Sequence, residues 1–165
     1  MKYSDLKGKP VVDVASADKL GSVSDLYINL QEQRVLALRV NVSGLFSGDR
    51  AVLWTDLQSV GENAVTVANA EVLREAKDVP VLQGLGDSGD VLHDKVMTES
   101  GTEVGTTDDM EIDPKTGAIV SYVLRGGFLE GLQHREQLVL ASWVKTVGKK
   151  LIVVQDQATT ETASS

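Results

Sequence analysis

Ser22–Leu30 reads SVSDLYINL and Val35–Val42 reads VLALRVNV, and these two neighbouring stretches decide the fold. In the second, Leu36, Leu38, Val40 and Val42 alternate with smaller or polar residues, which puts an apolar stripe on one face of a strand. The first carries Leu26, Ile28 and Leu30 at the same spacing of two. Between them the polar Gln31–Gln33 stretch can turn the chain back, so the pair reads as a hairpin. Elsewhere short Val, Ile and Leu runs are broken by Gly, Asp and Asn, and almost no stretch holds a 3.6-residue apolar period. The chain is therefore expected to be mostly β.

The hairpin recurs. Laying Leu20-Gly21 on Val104-Gly105, an offset of 84, also matches Asp25 with Asp109, Leu26 with Met110 and Ile28 with Ile112. Leu36, Leu38 and Val40 then fall on Val120, Tyr122 and Leu124, so both copies should bury the same face. Further on, AVLWTDLQSVG (51–61) matches LVLASWVKTVG (138–148), each followed by a β-branched run, AVTV or LIVV. The larger offset there calls for about three extra residues in a surface loop of the second copy, where insertion costs little. Each copy has five or six short strands, enough to close a small barrel and remove its edges.

The expected architecture is thus all-β, two small barrels in tandem joined by a short helix and linker. The boundaries are 1–68 for the first repeat, 69–89 for helix and linker, and 90–157 for the second repeat. In Asn69–Lys77 (NAEVLREAK), Asn69 can cap a helix, while Glu71 suits its positive end and Lys77 its negative end. Asp78-Val79-Pro80 should stop it. Residues 158–165 (ATTETASS) have nothing large to bury and should form a disordered tail.

With 165 residues, 42% hydrophobic and 24% charged, the chain has the balance of a soluble globular protein. Sixteen Lys and Arg against 24 Asp and Glu leave a charge of -8, which repels nucleic-acid phosphates and argues against direct nucleic-acid binding. The first 80 residues hold 9 basic and 11 acidic side chains and the remainder 7 and 13, so most of the acidity lies in the second half. There is no Cys, which excludes disulfides and thiolate chemistry. MKYSDLKGKP (1–10) lacks the apolar core of a signal peptide, and no run approaches the length needed to span a bilayer. A cytoplasmic location is expected.

Val12-Asp13, the run KLGSVSDLYIN (19–29) and RVLAL (34–38) resemble the signature of the PRC-barrel domain family. GTEVGTTDD (101–109), DPKTGAIV (113–120) and VKTVG (144–148) repeat it, and the two copies cover nearly the whole chain. The resemblance implies a small β-barrel used for binding or docking. In the photosynthetic reaction-centre H subunit such a barrel caps the cytoplasmic face of a membrane complex. In the ribosome maturation factor it docks a ribosomal protein. This chain shows neither the H subunit's transmembrane segment nor the maturation factor's separate N-terminal barrel, so it is more similar to tandem bacterial members. The family brings no catalytic residues.

Other patterns compete for attention. GLGDSG (84–89) matches G-x-G-x-x-G, but Pro80 precedes it and Asp87 and Asp90 would repel a pyrophosphate, so a flexible linker is expected. Asp109, Glu111 and Asp113 lie at spacing two and could hold a hard cation, yet the polar face of a half-buried strand reads the same way. His93 and His134 have no convincing nucleophile beside them. Asn41-Val42-Ser43 forms a glycosylation sequon, set within a strand. Trp54 and Trp143 do not coincide between copies and are expected to be packing anchors.

The sharpest candidates are Leu45 and Phe46 in GLFSG (44–48), with Phe128 and Leu129 in GFLEG (127–131). Glycine-flanked apolar tips either plug a barrel end or meet a partner. The functional expectation is a non-enzymatic adaptor, without cofactor, metal or catalytic residues, that docks on a cytoplasmic or membrane-face protein complex. Peripheral membrane association and self-association stay open. The alternative is a regulator that binds a small ligand or a metal ion.

Overall fold

In a computed structural model, which describes residues 1–42, 48–126 and 137–156, the alternating runs become two six-stranded sheets. The first contains β1 (Pro10–Asp13), β2 (Lys19–Asn29), β3 (Arg34–Val42), β4 (Gly48–Leu53), β5 (Leu57–Val60) and β6 (Val65–Val67). The second contains β7 (Lys95–Thr98), β8 (Glu103–Ile112), β9 (Ile119–Arg125), β10 (Gln137–Leu140), β11 (Val144–Val147) and β12 (Leu151–Val154). Their orders are the same, β4-β3-β2-β1-β6-β5 and β10-β9-β8-β7-β12-β11. In each, one parallel contact, β1 with β6 or β7 with β12, joins a four-stranded meander to a two-stranded hairpin.

The expected closure is incomplete. The edge strands β4 and β5 do not pair, nor do β10 and β11. A 3-10 turn, Trp54–Asp56 or Ala141–Trp143, carries the chain from one edge to the other. That turn spends its main-chain groups locally, so no strand pairing joins β4 to β5 or β10 to β11 among the described residues.

The alternating stripe enters the core with one exception in each copy. Leu38 and Val40, like Tyr122 and Leu124, are buried. Leu36 is not part of that face, because Tyr27 faces Ala37 while Ile28 faces Val35, so Leu36 is an extra residue in a bulge. Val120 repeats the defect, since Glu111 faces Ser121 while Ile112 faces Ile119. The sequence expectation that both would line the barrel interior is therefore corrected.

The helix expected over 69–77 does not form. Two 3-10 turns, Ala70–Val72 and Ala76–Asp78, take its place, although the Asn69 side chain does accept the Glu71 N–H at 3.0 Å. Between the turns Arg74 runs extended beside β4, exchanging hydrogen bonds of 2.7 and 2.9 Å with Ala51. A nine-residue helix is marginal alone. Pairing with an open sheet edge satisfies the main chain while seating Val79 and Leu82 against Ala37 and Ala51.

Most buried apolar side chains belong to one continuous cluster that includes Leu6, Leu26 and Leu38 of the first repeat and Met110, Tyr122 and Ile152 of the second. At about 1.5–3 kcal/mol for each large side chain buried, this shared interior stabilises both repeats together.

Candidate interaction surface

The two repeats meet through contacts that occur twice with roles exchanged. At the hairpin tips, Val35 N–H donates to the Gly117 carbonyl (2.8 Å) and Ile119 N–H donates to the Gln33 carbonyl (2.9 Å). Residues 33 and 117, like 35 and 119, are repeat equivalents. The segments leading into each repeat are likewise exchanged. Gly86 and Ile28 trade main-chain hydrogen bonds of 2.8 and 3.0 Å, while Met1 and Ile112 do so at 2.7 and 3.1 Å. Such reciprocity is the mark of a two-fold, self-complementary interface built within one chain.

Two carboxylates anchor the exchanged segments. Asp25 Oδ1 accepts the Ser88 N–H at 3.2 Å, and Asp109 Oδ1 accepts the Ser4 N–H at the same distance. Each also accepts the N–H of the following residue, Leu26 or Met110, at 2.8 Å. The Ser4 hydroxyl adds a second bond to Asp109. Asp109 is only 7% exposed, so the expectation that it would lie on a solvated strand face is corrected: the single-turn helix α1 (Tyr3–Leu6) lies over it.

The candidate cation ligands do not converge. Asp109 is occupied by Ser4, while Asp113 accepts the Lys115 N–H in the next turn. Among the described residues no three His, Cys, Asp or Glu side chains are grouped to hold a metal ion. His93 has a left-handed backbone (φ 66°), and its Nδ1 lies 3.4 Å from an Arg125 nitrogen. Beside it Asp94 is 1% exposed with both carboxylate oxygens unpartnered, a group the sequence reading passed over. Burial pushes its acid up from the ordinary value, outweighing Lys150, which pulls the other way.

The glycine motif at 84–89 is not a flexible linker. Gly86 is held by Ile28, and Asp87 caps the 3-10 turn Ser88–Asp90 through a reciprocal capping box. Trp54 is buried and Trp143 packs half-buried on the same core, as anchors should. Leu45, Phe46, Phe128, Leu129 and His134 lie outside the described residues, as do the loop insertion and the 158–165 segment.

The described surface has a different candidate. On the outer side of the first sheet, Tyr27, Ala37 and Leu53 form a row across β2, β3 and β4, and Val79, Leu82 and Leu85 pack over it. The equivalent row on the second sheet is Glu111, Ser121 and Leu140. There Val120 is 48% and Leu140 38% exposed, two of the four large apolar side chains described as exposed. Sequence reasoning missed both because the alternation assigned Val120 to the interior.

The PRC-barrel domain family profile matches residues 1–74 and again 87–159. An uncharacterized protein of Clostridium acetobutylicum is 33% identical over 78 residues, which span 44% of this chain and 88% of that protein. A stretch of this chain about the length of one repeat is thus similar to nearly the whole of that relative. With both halves matched and the same strand order in each, the chain belongs to the PRC-barrel domain family.

Proposed function

We propose that this protein is a non-enzymatic interaction module that docks on a cytoplasmic protein complex, soluble or at a membrane face. The observation that carries the reading is the partly exposed apolar pair Val120 (48%) and Leu140 (38%) of the second sheet, where the equivalent Leu36 and Leu53 of the first pack against a cluster that includes the chain's own linker residues Val79 and Leu82. Apolar side chains clustered beside an open sheet edge are a common basis for partner recognition. The family resemblance supports the same class of task.

A photo-crosslinking residue placed at Val120 in the native host tests it. The expected result is a discrete adduct from position 120 and none from Glu62, an exposed position on the β5–β6 turn. Absence of any adduct from position 120, together with a saturable rise in melting temperature on adding a metal ion or metabolite, would favour the ligand-binding regulator instead.

A further inference from the structure

We infer that the joint at residues 91–94, where the chain enters the second repeat, is a proton-sensitive latch: it stays closed over a neutral Asp94 and opens locally to hydrate an ionised one. The first repeat shows the same joint in a plainer form. There Gly8, with φ 89°, donates its N–H to the Val23 carbonyl at 2.8 Å, and the Val23 N–H donates to the Lys9 carbonyl at 2.9 Å. In the second repeat His93, with φ 66°, donates to the Thr107 carbonyl at 2.8 Å, and the Thr107 N–H donates to the Asp94 carbonyl at 2.9 Å. Lys9 and Asp94 thus hold equivalent places, each two residues before the valine that faces Gly21 or Gly105.

The two side chains fare differently there. The Lys9 ammonium donates to the Gly61 carbonyl at 2.6 Å, tying its joint to the turn between β5 and β6. Asp94 has no proton to give when ionised, and both of its oxygens are buried without a donor. The Thr107 hydroxyl is committed to the main chain, donating to the Val91 carbonyl and accepting the Asp94 N–H at 2.9 Å. Of the charged groups that act on Asp94, Asp90 and His93 come from its own segment and Lys150 from the turn between β11 and β12. Lys150 is exposed and does not bond to the carboxylate, while His93 Nδ1 lies against Arg125. An ionised carboxylate without a donor is costly to bury. The smallest relief is to break the few main-chain bonds that hold 91–94, so that water reaches it without unfolding the sheets. Protonation removes that cost, and burial raises the acid in the matching direction.

Amide hydrogen exchange of the full-length protein from acid to neutral pH tests this, corrected for the intrinsic pH dependence of exchange. The Gly8 and Val23 amides of the first joint serve as the internal reference. Relative to them, protection at His93 and Thr107 should fall by up to about tenfold per pH unit between the ordinary carboxyl value and the raised one, then level off. Asp94→Asn should abolish the fall, and Lys150→Ala should deepen it by removing the cation that favours the ionised form. If Asp94→Asn does not fold, the side-chain carboxyl resonance of Asp94 in the unaltered protein should titrate together with the loss of protection. Equal protection of the two joints at every pH, or a fall that persists in Asp94→Asn, would overturn the latch. So would a fall shared by the Leu38 and Tyr122 amides, because the opening would then be global.

Discussion

Asp25 and Asp109 show how one residue type can serve the fold where its spacing suggested chemistry. Each accepts main-chain N–H groups from its own strand and from the segment exchanged between repeats. Asp109→Ala leaves the Ser4 and Met110 donors without their acceptor in a largely buried place, and should cost about 1–3 kcal/mol in urea denaturation. Asp94 behaves in the opposite sense. Its unfolded carboxyl titrates at the ordinary value and its folded one higher, so folding favours the protonated acid. That stabilisation is fully present below the ordinary value and fades as pH rises through the raised one. Asp94→Asn should therefore be the more stable protein at pH 7, by about 1 kcal/mol or roughly 2–4 °C in melting temperature. The advantage should shrink on acidification, read as the difference between the two melting curves across pH. An unchanged difference from acid to neutral pH would mean that Asp94 is already compensated. Neither role was legible in the sequence, because a carboxylate's partners lie far along the chain.

At the scale of elements, the hairpin tips decide how the repeats meet. Gly117 has φ 78°, and a Cβ there would lie 2.7 Å from the Val35 carbonyl and 3.0 Å from the Trp54 ring. The equivalent tip instead carries Gln33 at φ 50°, opposite the small Ala141 that replaces Trp54. Gln33 fills that space, donating to the Ala141 carbonyl at 2.9 Å and accepting the Tyr122 hydroxyl at 2.8 Å. Large over small on one side thus balances small over large on the other. Gly117→Ala should destabilise by about 1–3 kcal/mol, seen as a lower denaturation midpoint with an unchanged slope. The repeat alignment exposed the mismatch of Trp54 with Ala141, but not that Gln33 opposite Gly117 compensates for it. Strand parity was legible because burial of one face imposes a period of two. The bulges at Leu36 and Val120 were not, since an extra residue changes pairing without changing local composition. The 69–77 segment misled for a related reason: its helix-like ends are local, whereas the β4 edge that claims Arg74 is remote in sequence.

For the whole molecule, the exchanged segments and shared core make the tandem chain a covalent version of a symmetric pair. Inserting a protease site between Lys77 and Asp78, in the exposed part of the linker, and cleaving the full-length protein should leave both halves together. Gel filtration should show the original size until denaturant is added. Separation of the halves under native conditions would mean that the linker, not the seam, holds them. What the sequence by itself determined was the duplication, the β class, the buried positions Leu38, Val40, Tyr122 and Leu124, and the family. These follow from local periodicity and short motifs, which need no knowledge of distant neighbours. Tertiary structure alone decided which copy's outer face the linker covers, where Asp25 and Asp109 find their donors, and why Val120 stays half-exposed. Each of those is a contact between residues tens of positions apart, and its free energy exists only once the sheets have brought them together.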